Sequence, residues 1–195
     1  MAIKQINSPS NLNLNHFISR LNELGNVAQS CRFAVQFSPV SRNLPANDLI
    51  YVCDSVEFPG RGFDVTEVRY YGPSQVFPNN SMYQQANFSF ICRQRSVERK
   101  FFDDWMDIIN PPTSFNFEYA ANYYSTVKIY QLANYSSKNS QTQGAVTSGD
   151  VIYGWTLRKA YPILVVPQQV TWADNDILRL QVTFTYKYWD REDFK

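Results

Sequence analysis

Leu178-Arg179-Leu180-Gln181-Val182-Thr183-Phe184-Thr185-Tyr186-Lys187-Tyr188 decides how this chain is read. Leu178, Leu180, Val182, Phe184, Tyr186 and Tyr188 fall on one side of an extended backbone, and Arg179, Gln181, Thr183, Thr185 and Lys187 on the other. That alternation describes a strand with one apolar face and one wet face. Burying a large apolar side chain gains about 1.5–3 kcal/mol, while fixing the backbone costs about 1–2 kcal/mol per residue. A strand with half of its residues buried therefore only balances these terms. It needs partners on both edges and a cover over its apolar face, so the expected fold is mainly β, a sandwich or open barrel.

The neighbouring segments supply those partners. Val151, Tyr153, Trp155 and Leu157 alternate with Ile152, Gly154, Thr156 and Arg158, a second strand that Ala160-Tyr161-Pro162 is expected to break. Phe33, Val35 and Phe37 alternate in the same way, as do Phe88, Phe90 and Cys92, and Thr126 to Leu132 is a short strand. Leu49 to Phe58 and Phe63 to Tyr71 read as a long hairpin about Pro59-Gly60-Arg61-Gly62, with polar residues on both faces. A lone hairpin is only marginally stable, so this one must join something larger. One internal helix is expected, capped by Ser96, carrying Val97, Phe101, Trp105 and Ile108 as a stripe beside Phe102 and Ile109, and stopped by Asn110-Pro111-Pro112. It is placed against one side of the β layers. Pro39 to Asp48 reads as a loop, and Asn134 to Asp150 as a polar loop. Residues 1–30 read as an N-terminal arm with a short amphipathic helix, in which Leu14, Phe17, Ile18, Leu21 and Leu24 share a face, and residues 31–195 as the β domain.

Composition removes several classes of function. The 195 residues hold 18 Lys plus Arg against 17 Asp plus Glu, a net charge of +1. A duplex binder held by phosphate contacts would carry a basic excess. No apolar run approaches the ~20 residues that span a bilayer, so no membrane partner is expected. Three widely spaced cysteines (Cys31, Cys53, Cys92) and one histidine (His16) give neither a disulfide framework nor a zinc site. No cofactor or metal is expected.

The carboxylates do not assemble into an acid–base pair. Asp103 and Asp104 are adjacent on a helix and point about 100° apart, and with Asp107 they read as a solvated acidic face. Asp174 and Asp176 flank Asn175 in a turn, where such side chains bond nearby backbone. Arg93, Arg95, Arg99 and Lys100 read as a surface that pairs with acidic groups of a neighbouring subunit, with phosphate as the alternative. A lectin-like carbohydrate-binding sandwich and a two-carboxylate glycosidase are the competing classes. The first predicts a monomer with a concave aromatic pocket, the second a cleft with carboxylates about 5–10 Å apart.

The order of these elements resembles the tail tube protein family of contractile-tailed bacteriophages, including the tube-like rings of the baseplate hub. The resemblance is carried by Arg32-Phe33-Ala34-Val35-Gln36-Phe37, Cys53-Asp54-Ser55-Val56-Glu57-Phe58-Pro59-Gly60, Phe101-Phe102-Asp103-Asp104-Trp105, Ala160-Tyr161-Pro162, Val170-Thr171-Trp172-Ala173-Asp174-Asn175-Asp176, and the strand ending Tyr188-Trp189. It covers roughly residues 31–190, and Tyr161, Pro162, Trp172, Asp174, Asp176 and Trp189 mark it most clearly.

The resemblance implies a structural virion protein and no enzyme. Six subunits form a ring, rings stack into a tube within a sheath, and hairpin strands of all six close an inner barrel through which the genome passes without sequence-specific binding. The chain is then a shaft subunit or a tube-initiating baseplate ring, with further copies and neighbouring tube or baseplate proteins as partners. On that basis Asp54, Glu57, Asp64 and Glu67 are candidates to face the lumen. Leu14, Phe17, Leu21 and the four basic residues are candidates for subunit contacts. A near-neutral wall would let DNA slide, since cationic contacts bind it by releasing counterions.

Overall fold

The computed structural model describes residues 18–19, 28–38, 49–133, 151–173 and 175–193. The loops expected at 39–48 and 134–150, most of the N-terminal arm with Leu14, His16, Phe17 and Leu21, and the side chain of Asp174 lie outside the described residues.

The elements run β1 (Phe33–Phe37), α1 (Leu49–Val52), β2 (Cys53–Val56), β3 (Arg61–Val68), β4 (Gln75–Tyr83), β5 (Ala86–Ile91), α2 (Val97–Ile109), α3 (Ala120–Tyr123), β6 (Ser125–Leu132), β7 (Val151–Val165), β8 (Arg179–Thr185) and β9 (Tyr188–Asp193). Seven strands form one antiparallel sheet in the order β1-β6-β7-β8-β5-β2, with β9 also paired to β7. β3 and β4 form a separate two-stranded sheet.

The long β7 organises the larger sheet. Its first part pairs β6 on one side and β9 on the other, from Tyr153 opposite Asp193 to Arg158 opposite Tyr188. Its last part pairs β8, from Tyr161 opposite Thr185 to Val165 opposite Val182. The change falls where Lys159 takes φ 56° and the register slips between Pro162 and Leu164. The neighbouring chain turns at the same level, where Lys187 N donates to Arg158 O at 3.1 Å. The sheet thus has two halves, β1-β6-β7-β9 and β7-β8-β5-β2, with the core between them. Phe37 of the first lies 5.7–6.4 Å, ring to ring, from Phe88, Phe90 and Phe184 of the second and from Phe102 of α2. Leu180, Val182, Phe184 and Tyr186 are buried, as the alternation required. Phe101, Phe102, Trp105 and Ile109 seat α2 on the same core.

Four expectations are corrected. Leu49–Val52 is a helical turn, and only Cys53–Val56 of the expected Leu49–Phe58 strand is extended. β2 then pairs β5, and the hairpin partner of β3 is β4. β4 contains Pro78, next to a register slip opposite Asp64 and Val65, where a missing N–H costs no ladder bond. Ala160-Tyr161-Pro162 bends β7 without ending it, and Pro162 is buried opposite Phe184. Ser96 makes no side-chain cap; it sits in the left-handed region at φ 46°.

Glu98 replaces Val97 on the buried face of α2. It accepts from Arg93 N at 3.2 Å and from Arg93 Nε, which ties the β5–α2 link to the helix start. Burial alone would push this carboxyl up. Hydrogen bonds from its own backbone and from the Arg93 side chain and backbone, with the guanidinium charge, outweigh burial and hold it below the usual range.

Candidate assembly surface

The β3–β4 hairpin forms a sheet of its own beside the body, and one of its faces is apolar and exposed. Directly opposed residues of an antiparallel pair share a face. Arg61, Phe63, Val65 and Glu67 share one face with Tyr83, Ser81, Pro78 and Val76. Gly62, Asp64, Thr66 and Val68 share the other with Met82, Asn80, Phe77 and Gln75. On the first face, Phe63, Val65 and Val76 are 56%, 57% and 60% exposed. No part of the described chain covers them. The second face carries Asp64, Thr66, Asn80 and Gln75, but also exposed Phe77 and Met82.

The base of the hairpin is fixed to the body by aromatic contacts. Phe58 stacks on Trp155 of β7 at 4.5 Å, and Tyr83 meets Tyr186 edge-on at 6.4 Å. Arg61 lies over the Phe63 and Tyr83 rings and donates to Ser81 Oγ at 3.2 Å, which rigidifies the first face near its root. Because Tyr83 reaches the buried Tyr186, that face continues the core-facing side of the body sheet beyond its own core. The opposite face continues the wet side. Burial, then neighbouring Tyr83, pushes the Tyr186 hydroxyl up to about 12, and that hydroxyl has no hydrogen-bond partner. Tyr186→Phe is therefore expected to keep stability or raise it by up to about 1 kcal/mol in urea unfolding, because it removes an unpaired buried polar group.

The four carboxylates that are candidates to face the lumen lie in distinct places. Asp54 is on β2, where its Oδ2 accepts from Arg179 Nε at 3.0 Å. Glu57 follows β2 and accepts from Asn87 Nδ2 at 2.8 Å; Asn87 Oδ1 in turn accepts from Thr183 Oγ1 at 2.8 Å. Both lie on the wet side of β2-β5-β8. Asp64 is on the polar face of the hairpin, and Glu67 is on its apolar face. Cys53, beside Asp54, is pushed up to about 12, first by burial and then by the Asp54 charge, so its thiol stays protonated and inert at neutral pH.

Two of the four basic candidates are engaged within the chain, Arg93 with Glu98 and Arg99 with Asp103 at 3.0 Å. Arg95 and Lys100 are exposed. Tyr161 packs edge-on against Tyr123 at 5.3 Å. Trp189 is half-buried against the core, while Trp172 is fully exposed and Asp176 Oδ1 accepts from Ile177 N at 2.7 Å in its turn. Among the described residues no group of three His, Cys, Asp or Glu is placed to hold a metal ion, and no helix is long and apolar enough to cross a membrane.

The apolar surface is not legible in the sequence, because Phe63 and Val65 resemble ordinary core positions and because Pro78-Asn79-Asn80 masks β4 as their neighbour. The alternation Phe63, Val65 and Glu67 was the available signal.

A model of the phage tail tube protein family matches residues 15–192. The chain belongs to that family. Tail tube proteins are structural, and this one is a structural protein and not an enzyme. No curated protein sequence matches the chain. Among solved structures it is similar to a chain of the sheath-tube complex of the extracellular contractile injection system PVC, with TM-score 0.61, 15% identity, and 90% of this chain and 97% of that chain covered. It is also similar to a chain of the anti-feeding prophage baseplate, with TM-score 0.59, 15% identity and coverage of 86% and 97%. The anti-feeding prophage tube-terminating cap gives TM-score 0.58 at 14% identity, with 86% and 92% covered. The tail tube fold is therefore shared with parts of contractile particles at this low identity.

Proposed function

We propose that this tail tube protein closes six-membered rings that stack into, or initiate, the inner tube of a contractile tail, with a water-filled bore that conducts the genome. The observation that carries the reading is the β3–β4 hairpin, whose face with Phe63, Val65 and Val76 extends a core-facing layer into solvent. A two-stranded ribbon is marginal alone, and an exposed apolar patch marks an interaction site. A second copy that supplies the missing cover, repeated around a six-fold axis, leaves no copy with that face bare and closes the sheet edges.

In this reading the wet side of β2-β5-β8 and of the hairpin faces the bore, so Asp54, Glu57 and Asp64 line it. Glu67, on the opposite hairpin face, belongs to the subunit contact. The Asp54–Arg179 pair leaves that part of the wall near neutral, which suits passage of DNA without retention. Further copies, neighbouring tube or baseplate proteins and a surrounding sheath are the partners, and the virion is the site of action. Arg95 and Lys100 are the basic residues positioned to meet such neighbours. The reading holds for a shaft subunit and for a baseplate ring.

Mass photometry with negative-stain imaging of the purified protein tests it. Six-membered rings with a central hole are expected. A clean 22.7 kDa species at every concentration would overturn the reading.

A further inference from the structure

Resting on the ring reading above, we propose that the tip of the β3–β4 hairpin in one copy seats in the groove beside the β7–β8 connection of a second copy in the next ring, joining rings head to tail.

The register places these two features at opposite ends of one sheet. The hairpin leaves where β2 ends and β5 begins, the level at which Ala86 faces Phe184. The groove lies at the other end, where Ile91 faces Arg179 and Cys92 N donates to Leu178 O at 2.9 Å. Five residue steps of β8, from Phe184 to Arg179, separate the two levels, a rise of about 17 Å at ~3.3 Å per residue. The hairpin runs away from the sheet on its own side. Tyr70 and Tyr71 at its tip are 88% and 99% exposed, so the tip does not rest on its own groove.

Chemistry matches across the gap. The tip turn is held by Arg69, whose Nε donates to Gly72 O at 3.0 Å, and Gly72 takes φ 85°, which a side chain would strain. The tip therefore presents two tyrosines and a guanidinium from a defined turn. The groove has a volume of about 460 Å³ and is lined by residues 166–171, 176–179 and Gln181, with exposed Val170 and Ile177 at its sides and Trp172 beside it. Asp176 is at its mouth. Arg179 is held by Asp54 at 3.0 Å and stands 3.9 Å from Asp176, whose side chain is largely exposed to an approaching cation. Tyrosine and tryptophan suit a half-wet contact, with about 150–250 Å² of burial per ring.

The two patches are different surfaces, so the contact is heterologous. Each copy that offers a tip also offers a groove, and the pairing continues along an axis instead of closing on itself. Six parallel contacts per pair of rings multiply a weak single contact through effective concentration. The axial joint thus differs from the lateral joint made by Phe63, Val65 and Val76.

The test separates the two joints. Tyr70→Ser with Tyr71→Ser, and independently Asp176→Lys, are expected to keep rings in mass photometry and to raise the protein concentration needed for tubes at least tenfold in negative stain. In a direct arm, Tyr71→Cys and Gln169→Cys proteins, each carrying Cys31→Ser, are mixed and oxidised. A dimer band on a non-reducing gel is expected from the mixture and from neither protein alone. Intact stacking in both the tyrosine and the Asp176 variants, or stacked tubes with no cross-link, would overturn the proposal. Loss of rings in the unmodified protein would instead remove the ring reading beneath it.

Discussion

Phe63→Asp combined with Val65→Asp is expected to yield a folded monomer that forms no rings. Both side chains are about half exposed in the single chain, so completing their burial is worth about half of the ~1.5–3 kcal/mol of full burial for each. Together they are expected to contribute roughly 1.5–3 kcal/mol to each subunit contact. An aspartate in their place must also lose water without gaining a partner, which adds a further penalty of roughly 1–3 kcal/mol or more. Since 1.4 kcal/mol is a factor of ten, association should weaken by at least about a hundredfold per contact. Nothing in the single chain's core depends on either residue, and surface changes of this kind stay within about 0.5 kcal/mol of the parent. The melting temperature should therefore move by no more than about 2 °C. Sedimentation velocity reads the first effect and thermal unfolding the second. Rings of unchanged affinity would remove the hairpin from the contact.

The second large effect belongs to the start of α2. Arg93→Ala leaves the Glu98 carboxylate fully buried and without its guanidinium partner. Breaking a buried pair in this way costs about 3–5 kcal/mol, or roughly 6–20 °C in a chain of this length. The pH dependence gives the sign. In the parent the carboxyl is held below its ordinary value, so its contribution is present above the unfolded pKa and is lost as pH falls through the folded one. In Arg93→Ala burial acts unopposed by the guanidinium and the folded pKa rises. The variant's deficit is then greatest near neutral pH and narrows as pH falls through the variant's raised folded value, where its carboxyl takes up a proton while the parent's stays ionised. Urea unfolding of both proteins at pH 7.5 and pH 4.5 checks this. A deficit that is constant across that range would show that Glu98 is not the group responsible.

Both effects bear on what the sequence could tell. The strand from Leu178 to Thr185 and the helix from Val97 to Ile109 were legible because their apolar residues repeat at strand and helix period over enough residues to decide. Leu49-Ile50-Tyr51-Val52 is four residues long, too short for any period to separate a helical turn from a strand. β4 was hidden by Pro78-Asn79-Asn80, residues that usually end strands and here occupy an irregularity of a two-stranded ribbon with an open edge. Nothing in the sequence separates Glu98 from a surface residue at the head of a helix, since only the packing of Arg93 against it reveals its burial. The sequence points to charges for the candidate site, in Asp54, Glu57, Asp64 and Glu67. The face left uncovered in the described chain is apolar, and Phe63 and Val65 become unusual only once the topology carries them off the body. Family resemblance was legible in the order of segments, yet which hairpin they build was not.

β7 is one unbroken backbone that serves as a member of both halves of the body. In the tube proposed above, a load along the axis has to pass through every subunit. In this protein a load entering one half passes to the other along covalent bonds, and separating the halves would require many ladder bonds to shear at once. Such a spar makes the subunit stiff where a pair of sheets joined only by side chains would slide.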